Sequence, residues 1–297
     1  MQKRREFLKK STGILALTGL SISRLSFAHS FESNIQPGVQ LFTFFNSIDN
    51  DVQGTLKKAA DVGIRNIESA FSRKGDYYGM SAKAFSTLVS DLGMKLHSHH
   101  VFGAPLKPRE GNKVQLPPMK NLVENTDQVI EDALAGGIGY LVAAHLPIGT
   151  GREISSALEI LNKAAEATKK AGIQLIYHNE ADDFKEVDGK IPYEVFLTQT
   201  DVVALKFELD IAWAVKAGAD PVKLIERYPG RFPLWHIKDL NQDFSTVLPL
   251  GAGTLDYKRY FQSAGASGLK YYYIEHEAAA DPFASITTSI AAVKKLA

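Results

Sequence analysis

From residue 36 onward, short apolar or β-branched runs alternate with longer amphipathic runs. The short runs are typical of strands buried on both faces, and the long runs are typical of helices that cover a sheet. The pattern predicts eight strands, at 38–44, 64–70, 94–100, 139–145, 173–178, 203–210, 233–238 and 270–276. Between and after them it predicts helices at 52–62, 82–92, 122–135, 154–171, 221–228, 257–264 and 282–296.

Eight strand-helix units within residues 36–297 are the number that closes a parallel barrel. We therefore predict an α/β fold, a single-domain (β/α)8 TIM barrel, with an open doubly wound sheet as the alternative. The longest connection, 102–120, holds four prolines and two glycines and follows the third strand. A long loop in that place predicts a lid over a site at the strand ends.

The first 28 residues read as an export signal and not as part of the fold. A basic segment precedes a weakly apolar stretch and the residues Ser26, Phe27 and Ala28, which approximate a cleavage site. Residues 3–9 (Lys-Arg-Arg-Glu-Phe-Leu-Lys) resemble a twin-arginine signal. This resemblance implies the twin-arginine export machinery as a partner, a periplasmic location and a short linker at 29–35. A membrane-anchored N-terminus is the alternative, although the apolar stretch is shorter than the ~20 residues of a spanning helix.

Composition narrows the function classes. The chain has a formal net charge of +1, but residues 1–28 carry six basic side chains and one acid, so the remainder is acidic at −4. An acidic mature chain lacks the positive field that nucleic-acid binding uses, which favours a small neutral or polar substrate. The chain has no cysteine, so it forms no disulfide.

Histidines concentrate where the predicted strands end. Seven of the eight fall at or next to such an end: His97, His99, His100, His145, His178, His236 and His276. Histidine is the commonest metal ligand, and the carboxyl ends of barrel strands meet at one mouth. The pattern predicts a metal centre there.

Side-chain alternation selects the candidate ligands. In a closed barrel the last four predicted strands bring two imidazoles and two carboxylates toward one axis: His178, Asp210, His236 and Glu275. This mixed nitrogen and oxygen set suits one divalent ion, Mn²⁺, Co²⁺, Zn²⁺ or Fe²⁺, better than Ca²⁺. For each residue alone, a buried hydrogen-bonded side chain is the alternative.

The strand-end motifs resemble those of the xylose isomerase-like barrel superfamily of sugar phosphate isomerases and epimerases. They are Tyr-His-Asn at 177–179, Glu-Leu-Asp-Ile-Ala-Trp at 208–213, His-Ile-Lys-Asp at 236–239 and Ile-Glu-His-Glu at 274–277. The resemblance covers nearly all of the chain after residue 28. It implies a divalent ion on the four candidate ligands. His178 stands where the epimerases have a glutamate, and Glu180 stands where related members have a second histidine. The resemblance therefore does not identify the residue that acts as the general base.

The resemblance implies a sugar isomerase or epimerase that acts through a metal-stabilised enediolate on a non-phosphorylated sugar or keto-sugar. Proton abstraction is expected from Glu275 or Glu180, with Lys238 or His99 stabilising or protonating oxygen. Lys238 could instead pair with Glu208 or Asp239. The expected substrate contacts are Glu68, His97, His99, His145 and Trp213, with His100 packed outward.

Three other functions stay open from the sequence. A 3-keto-glycoside lyase or dehydratase would use the same site. A nuclease similar to endonuclease IV is disfavoured, because Trp213 stands where that family has a histidine. A non-catalytic sugar-binding barrel is disfavoured because all four candidate ligands are present.

Overall fold

Eight parallel strands close a barrel in the computed structural model, which describes residues 35–106 and 117–296. Neighbours around the barrel follow chain order, and the last strand closes on the first. The barrel strands are β1 Gly38–Gln40, β2 Asn66–Ser69, β3 Lys95–Phe102, β4 Tyr140–Ala144, β5 Gln174–His178, β6 Leu205–Asp210, β7 Leu234–Ile237 and β10 Tyr271–Ile274. Two short antiparallel strands, β8 Asp239–Leu240 and β9 Val247–Leu248, form a hairpin after β7. The predicted single-domain (β/α)8 barrel is confirmed.

Helices surround the barrel and follow its strands. They are α1 Val52–Asp61, α2 Ala82–Asp91, α3 Thr126–Gly136, α4 Gly151–Lys170, α5 Pro192–Gln199, α6 Ile211–Lys216, α7 Pro221–Arg227, α8 Tyr257–Phe261, α9 Ala264–Ser267 and α10 Pro282–Leu296. Side-chain caps begin several of them: Ser81 accepts from the backbone N–H of Ala84, and Asp256 from that of Arg259. The prediction missed α5 and α6, which are only eight and six residues long.

Strand ends differ from the prediction at two places that matter for the site. β1 stops at Gln40, where the chain turns into a 3-10 helix at Leu41–Phe44. β3 continues to Phe102, two residues beyond the predicted end. His97 is therefore the third residue of a strand and does not follow one, so its predicted place at a strand tip is wrong.

Most of the apolar core lies between the barrel and the helices, and a smaller cluster fills the barrel itself. That inner cluster consists of Val142, Ile176, Leu234 and Tyr273, none of them accessible to solvent. Ile176, Leu234 and Tyr273 each precede a predicted metal ligand by two residues, and Glu275, which follows Tyr273, lies just past the end of β10. Because side chains two apart share a face, those ligands also point into the barrel, one step nearer its carboxyl end.

Two predictions fall outside the described residues. The export signal and linker lie in residues 1–34, and most of the predicted lid lies in residues 107–116. Within the described residues, no helix combines the length and apolar character that crossing a membrane requires.

Candidate metal centre at the carboxyl end of the barrel

The structure brings the four predicted metal ligands together. His178 and Asp210 end β5 and β6, His236 lies within β7, and Glu275 directly follows β10. The Nδ1 atom of His236 is 3.1 Å from His178 Nε2, 3.3 Å from Glu275 Oε2 and 3.8 Å from Asp210 Oδ2. At most 6% of any of these side chains is exposed. His178, Asp210 and His236 hold ligand atoms within 4.8 Å of one another, and Glu275 adjoins this group through its contact with His236.

This donor set fits a divalent transition ion. Bonds of about 2.0–2.2 Å in tetrahedral geometry hold ligand atoms roughly 3.3 Å apart, which is close to the spacings found here. Asp210 Oδ2 is buried, and its shortest polar contact is the 2.9 Å ion pair with Lys238 Nζ, so the oxygen is available to a metal that displaces the ammonium. Burial lowers the pKa of His178 to about 4, so its ring is neutral and able to ligate at neutral pH.

Neighbouring groups fix the orientation of Asp210. Its Oδ1 accepts a 2.9 Å hydrogen bond from the backbone N–H of Trp213 and so caps α6. Its own backbone N–H donates to the side-chain oxygen of Asn179 at 3.1 Å, and the Asn179 amide donates to the Asp210 carbonyl at 3.3 Å. One carboxylate oxygen is thus used by the helix while the other faces the centre. The sequence analysis had given Asn179 no role.

Lys238 is a fully buried cation beside the same carboxylates. Its Nζ lies 2.6 Å from Glu275 Oε2, 2.9 Å from Asp210 Oδ2 and 3.0 Å from Glu277 Oε1. Burial alone would lower the pKa of Lys238, but the charges of Asp210 and Glu275 outweigh it and raise the pKa well above its usual value. The predicted alternative pairing with Glu208 or Asp239 is not the one found.

Two carboxyl groups with raised pKa values flank Lys238. Burial raises the pKa of Glu180 to about 8, although the charge of Lys238 opposes the shift. Burial likewise raises the pKa of Glu277 to about 7 against the same opposing charge. Carboxyl groups that exchange protons near neutral pH suit acid-base catalysis. Glu277 was part of the 274–277 motif but had no predicted role.

A second ionisable cluster lies behind His236. The other ring nitrogen of His236, Nε2, is 2.6 Å from Glu68 Oε1 and 3.2 Å from Glu208 Oε2. His100 Nε2 bridges the same oxygens, at 3.1 Å from Glu68 Oε1 and 2.9 Å from Glu208 Oε2. We call Glu68, His100 and Glu208 the buried layer.

The predicted directions of the β3 histidines are wrong after His97. The pairing of β2 with β3 shifts register, so that Ile67 faces Leu96 but Glu68 faces Ser98. The extra residue, His97, is a β-bulge, and a bulge reverses which positions point inward. His100 therefore faces the barrel interior, where an outward direction was expected.

His97 and His99 do not reach the metal centre. His97 stacks on Tyr271, the first residue of β10, and its Nε2 lies 3.0 Å from the Asn66 side chain, so it is at the amino end of the barrel. His99 stacks on Tyr77 and its Nδ1 is 2.9 Å from Ser69 Oγ. Both are at least nine-tenths buried. Contrary to the prediction, neither histidine is placed to contact a substrate at the mouth. His99 is also not placed to protonate a substrate oxygen.

The other three predicted substrate contacts differ in exposure. Glu68 is fully buried, which does not fit a substrate contact. His145 is exposed, and its ring centroid lies 5.5 Å from that of Phe102. Trp213 is partly exposed, with its ring 4.5 Å from Lys238 Nζ. His145 and Trp213 thus remain candidates at the mouth.

Sequence comparison now identifies the family. The profile described as xylose isomerase-like TIM barrel matches residues 56–296. The chain belongs to this family.

Individual relatives carry related names. An inosose dehydratase of Geobacillus kaustophilus is 33% identical over 94 residues, 32% of this chain and 30% of that protein. The match thus spans under a third of that relative's length. A sugar phosphate isomerase/epimerase structure from Parabacteroides distasonis is 29% identical, with a TM-score of 0.68 over 88% of this chain and 94% of that one. The structure described as IOLI protein with a binding zinc atom shares the fold at 13% identity, with a TM-score of 0.67 over 88% and 98%.

Proposed function

We propose that the protein is a divalent-metal-dependent enzyme that removes a proton next to the carbonyl of a sugar or keto-sugar, as an isomerase or epimerase. The observation that carries the proposal is the buried set of His178, Asp210, His236 and Glu275, joined by Lys238. A bound divalent ion would supply Lewis-acid polarisation of the carbonyl and its neighbouring hydroxyl.

The protein's own groups would bind the substrate and move the proton. Trp213 is partly exposed at the mouth, and its ring would pack against the apolar face of a sugar. Glu180 and Glu277 lie beside the centre with pKa values of about 8 and about 7, so each exchanges a proton near neutrality. The fully buried ammonium of Lys238 would act through the carboxylates that it contacts, Asp210, Glu275 and Glu277, by offsetting their negative charge. Glu275 keeps a pKa well below its usual value, because the charge of Lys238 outweighs burial, which favours a ligand role over a base.

The substrate is proposed to be non-phosphorylated. The proposed export of the chain to the periplasm, with cleavage near Ala28, supports this choice, and fractionation of cells that produce the full chain tests the export.

Elimination of water is a second candidate, favoured by the inosose dehydratase relatives. It begins with the same proton removal. A carboxyl group that is protonated near neutral pH, as Glu180 is, could then donate its proton to the departing hydroxyl. A 3-keto-glycoside would undergo the corresponding loss of its anomeric substituent.

Elemental analysis tests the metal centre first. We expect about one Mn, Co, Zn or Fe per wild-type chain and its loss in His236→Ala. The matched control is His276→Ala, because His276 lies at the same mouth but bonds Ser285 Oγ at 2.7 Å. Equal metal content in all three proteins would contradict the ligand assignment.

Incubation in D₂O then separates the reactions. Free ketohexoses, inosose and a 3-keto-glucoside are the probes, followed by mass spectrometry and NMR. A product that carries deuterium next to the carbonyl but is otherwise equal in mass to the substrate supports isomerisation or epimerisation. An unsaturated ketone supports elimination. No exchange with any probe in the metal-loaded protein would refute proton abstraction from these substrate classes.

A further inference from the structure

We propose that the buried layer positions His236 for metal binding. Glu68 accepts the Nε2 proton of His236, which leaves Nδ1 as the metal-binding nitrogen. His100 contacts Glu68 and is itself held by Glu208. The inference rests on the metal centre of the proposed function. It assigns roles to three residues that touch neither the mouth of the barrel nor the predicted ligand oxygens.

The first step is the use of both ring nitrogens of His236. Nδ1 faces His178, Asp210 and Glu275, while Nε2 lies 2.6 Å from Glu68 Oε1. A nitrogen ligates a metal only without its proton, so in the metal-bound ring the proton must be on Nε2. A charged acceptor at hydrogen-bonding distance stabilises that tautomer and orients the ring.

The second step is that Glu68 is itself held on every side. Its Oε1 accepts from Gln40 Nε2 at 2.8 Å, and its Oε2 accepts from Ser98 Oγ at 2.6 Å. The same Oε1 lies 3.1 Å from His100 Nε2 and 2.6 Å from His236 Nε2. These contacts fix the orientation of Glu68 and direct Oε1 at the His236 ring.

The third step is charge compensation by His100. Its Nε2 contacts both Glu68 and Glu208, and its ring lies parallel to that of His236, with centroids 5.4 Å apart. Two buried carboxylates without a nearby cation would be costly. His100 Nε2 lies between the two carboxylates, at 3.1 and 2.9 Å, so a protonated His100 is the group placed to compensate them.

Hydrogen bonding explains the layer better than a second metal site. Its four nitrogen-oxygen contacts span 2.6–3.2 Å, the range of hydrogen bonds between charged groups. The same atoms lie close enough together to ligate an ion, so the number of metal ions per chain decides between the two arrangements. Glu68 and Glu208 are also fully buried, which argues against direct contact with a substrate.

The test compares Glu68→Gln with Asp183→Asn in the full chain. Asp183 is a matched control, since it is also a buried carboxylate, accepts from the Tyr177 hydroxyl and lies outside the layer. We expect Glu68→Gln to weaken Co²⁺ and Zn²⁺ binding by roughly 10–100-fold. The Co²⁺ absorption spectrum should shift, because the ligand field of His236 changes. Asp183→Asn should keep both the affinity and the spectrum of wild type.

Unchanged Co²⁺ affinity and spectrum in folded Glu68→Gln would overturn the proposal. Two metal ions per wild-type chain, one of them lost in Glu68→Gln, would overturn it by making the layer a metal site. If wild type binds no metal, the proposed function fails, and NMR of the His236 Nε2 proton still decides the positioning role. A strongly downfield resonance that moves in Glu68→Gln but not in Asp183→Asn supports it, and an unmoved resonance refutes it.

Discussion

Replacing Lys238 by methionine tests the charge balance of the metal centre. The substitution keeps the length of the side chain and removes an ammonium that lies 2.6–3.0 Å from three carboxylate oxygens. Lys238 is fully buried and Asp210 and Glu275 nearly so, which means that water cannot replace the lost cation. Removing one partner of such a buried group costs about 3–5 kcal/mol.

The expected effect is large in the metal-free protein. For a domain of this size, 1 kcal/mol corresponds to roughly 2–4 °C in Tm, so Lys238→Met should lower the Tm by roughly 6–20 °C. A divalent ion would bring two positive charges to Asp210 and Glu275 without a competing ammonium. Saturating metal should therefore raise the Tm of Lys238→Met more than that of wild type and narrow the gap between them.

Lys216→Met is the matched control for this experiment. Lys216 lies over the same Trp213 ring, at 4.7 Å, but is exposed. Its loss should cost only about 0.5–1 kcal/mol. Thermal unfolding of all three proteins with EDTA and with excess Mn²⁺ provides the comparison. Equal losses in both variants, or a gap that metal leaves unchanged, would refute the charge argument.

Three further predictions concern single residues. Burial raises the pKa of Glu180 to about 8, so its contribution to the stability of the metal-free protein is present below the unfolded pKa near 4.5 and is lost as pH rises to 8. Glu180→Gln should therefore flatten the fall in Tm between pH 5 and 8. An unchanged slope would contradict the raised pKa. His99→Leu should lower the Tm by breaking the contacts with Ser69 and Tyr77 but keep the metal content, whereas metal loss would restore His99 to the site. Trp213→Leu should raise KM by about 5–10-fold, the equivalent of an aromatic contact of ~1 kcal/mol, with kcat nearly unchanged; an unchanged KM would exclude stacking.

The barrel and the convergence of the candidate metal ligands were predictable, because both follow from periodic patterns. Eight buried strands with helices between them leave few topologies, and the carboxyl ends of such strands share one mouth. His178, Asp210, His236 and Glu275 could be grouped from alternation alone, since each lies at or within two residues of a strand end. Their convergence needs only a closed barrel of the observed strand order.

The buried layer was not predictable, because it depends on one bulge and on contacts across the barrel. The shift between Ile67 and Glu68 reverses the alternation of β3 at His97, and no glycine or proline in that strand marks it. Glu208 bonds His100 from a strand more than one hundred residues away. Alternation along a strand predicts the direction in which a side chain points but not the residue that it contacts. For this reason the sequence could not distinguish a Glu68 that bonds His236 from one that contacts substrate.

The barrel tolerates many buried charges because most of its stabilising apolar contacts lie outside the barrel interior. The apolar contacts that stabilise the fold lie mainly between strands and helices, and the inner apolar cluster contains only four fully buried side chains, Val142, Ile176, Leu234 and Tyr273. Above that cluster the interior carries ionisable groups, each placed against a group of opposite charge or a hydrogen-bond partner. His236 joins them, since its Nε2 contacts the buried layer and its Nδ1 the metal ligands. Substitution of Glu68 should therefore weaken metal binding more than it lowers the free energy of unfolding.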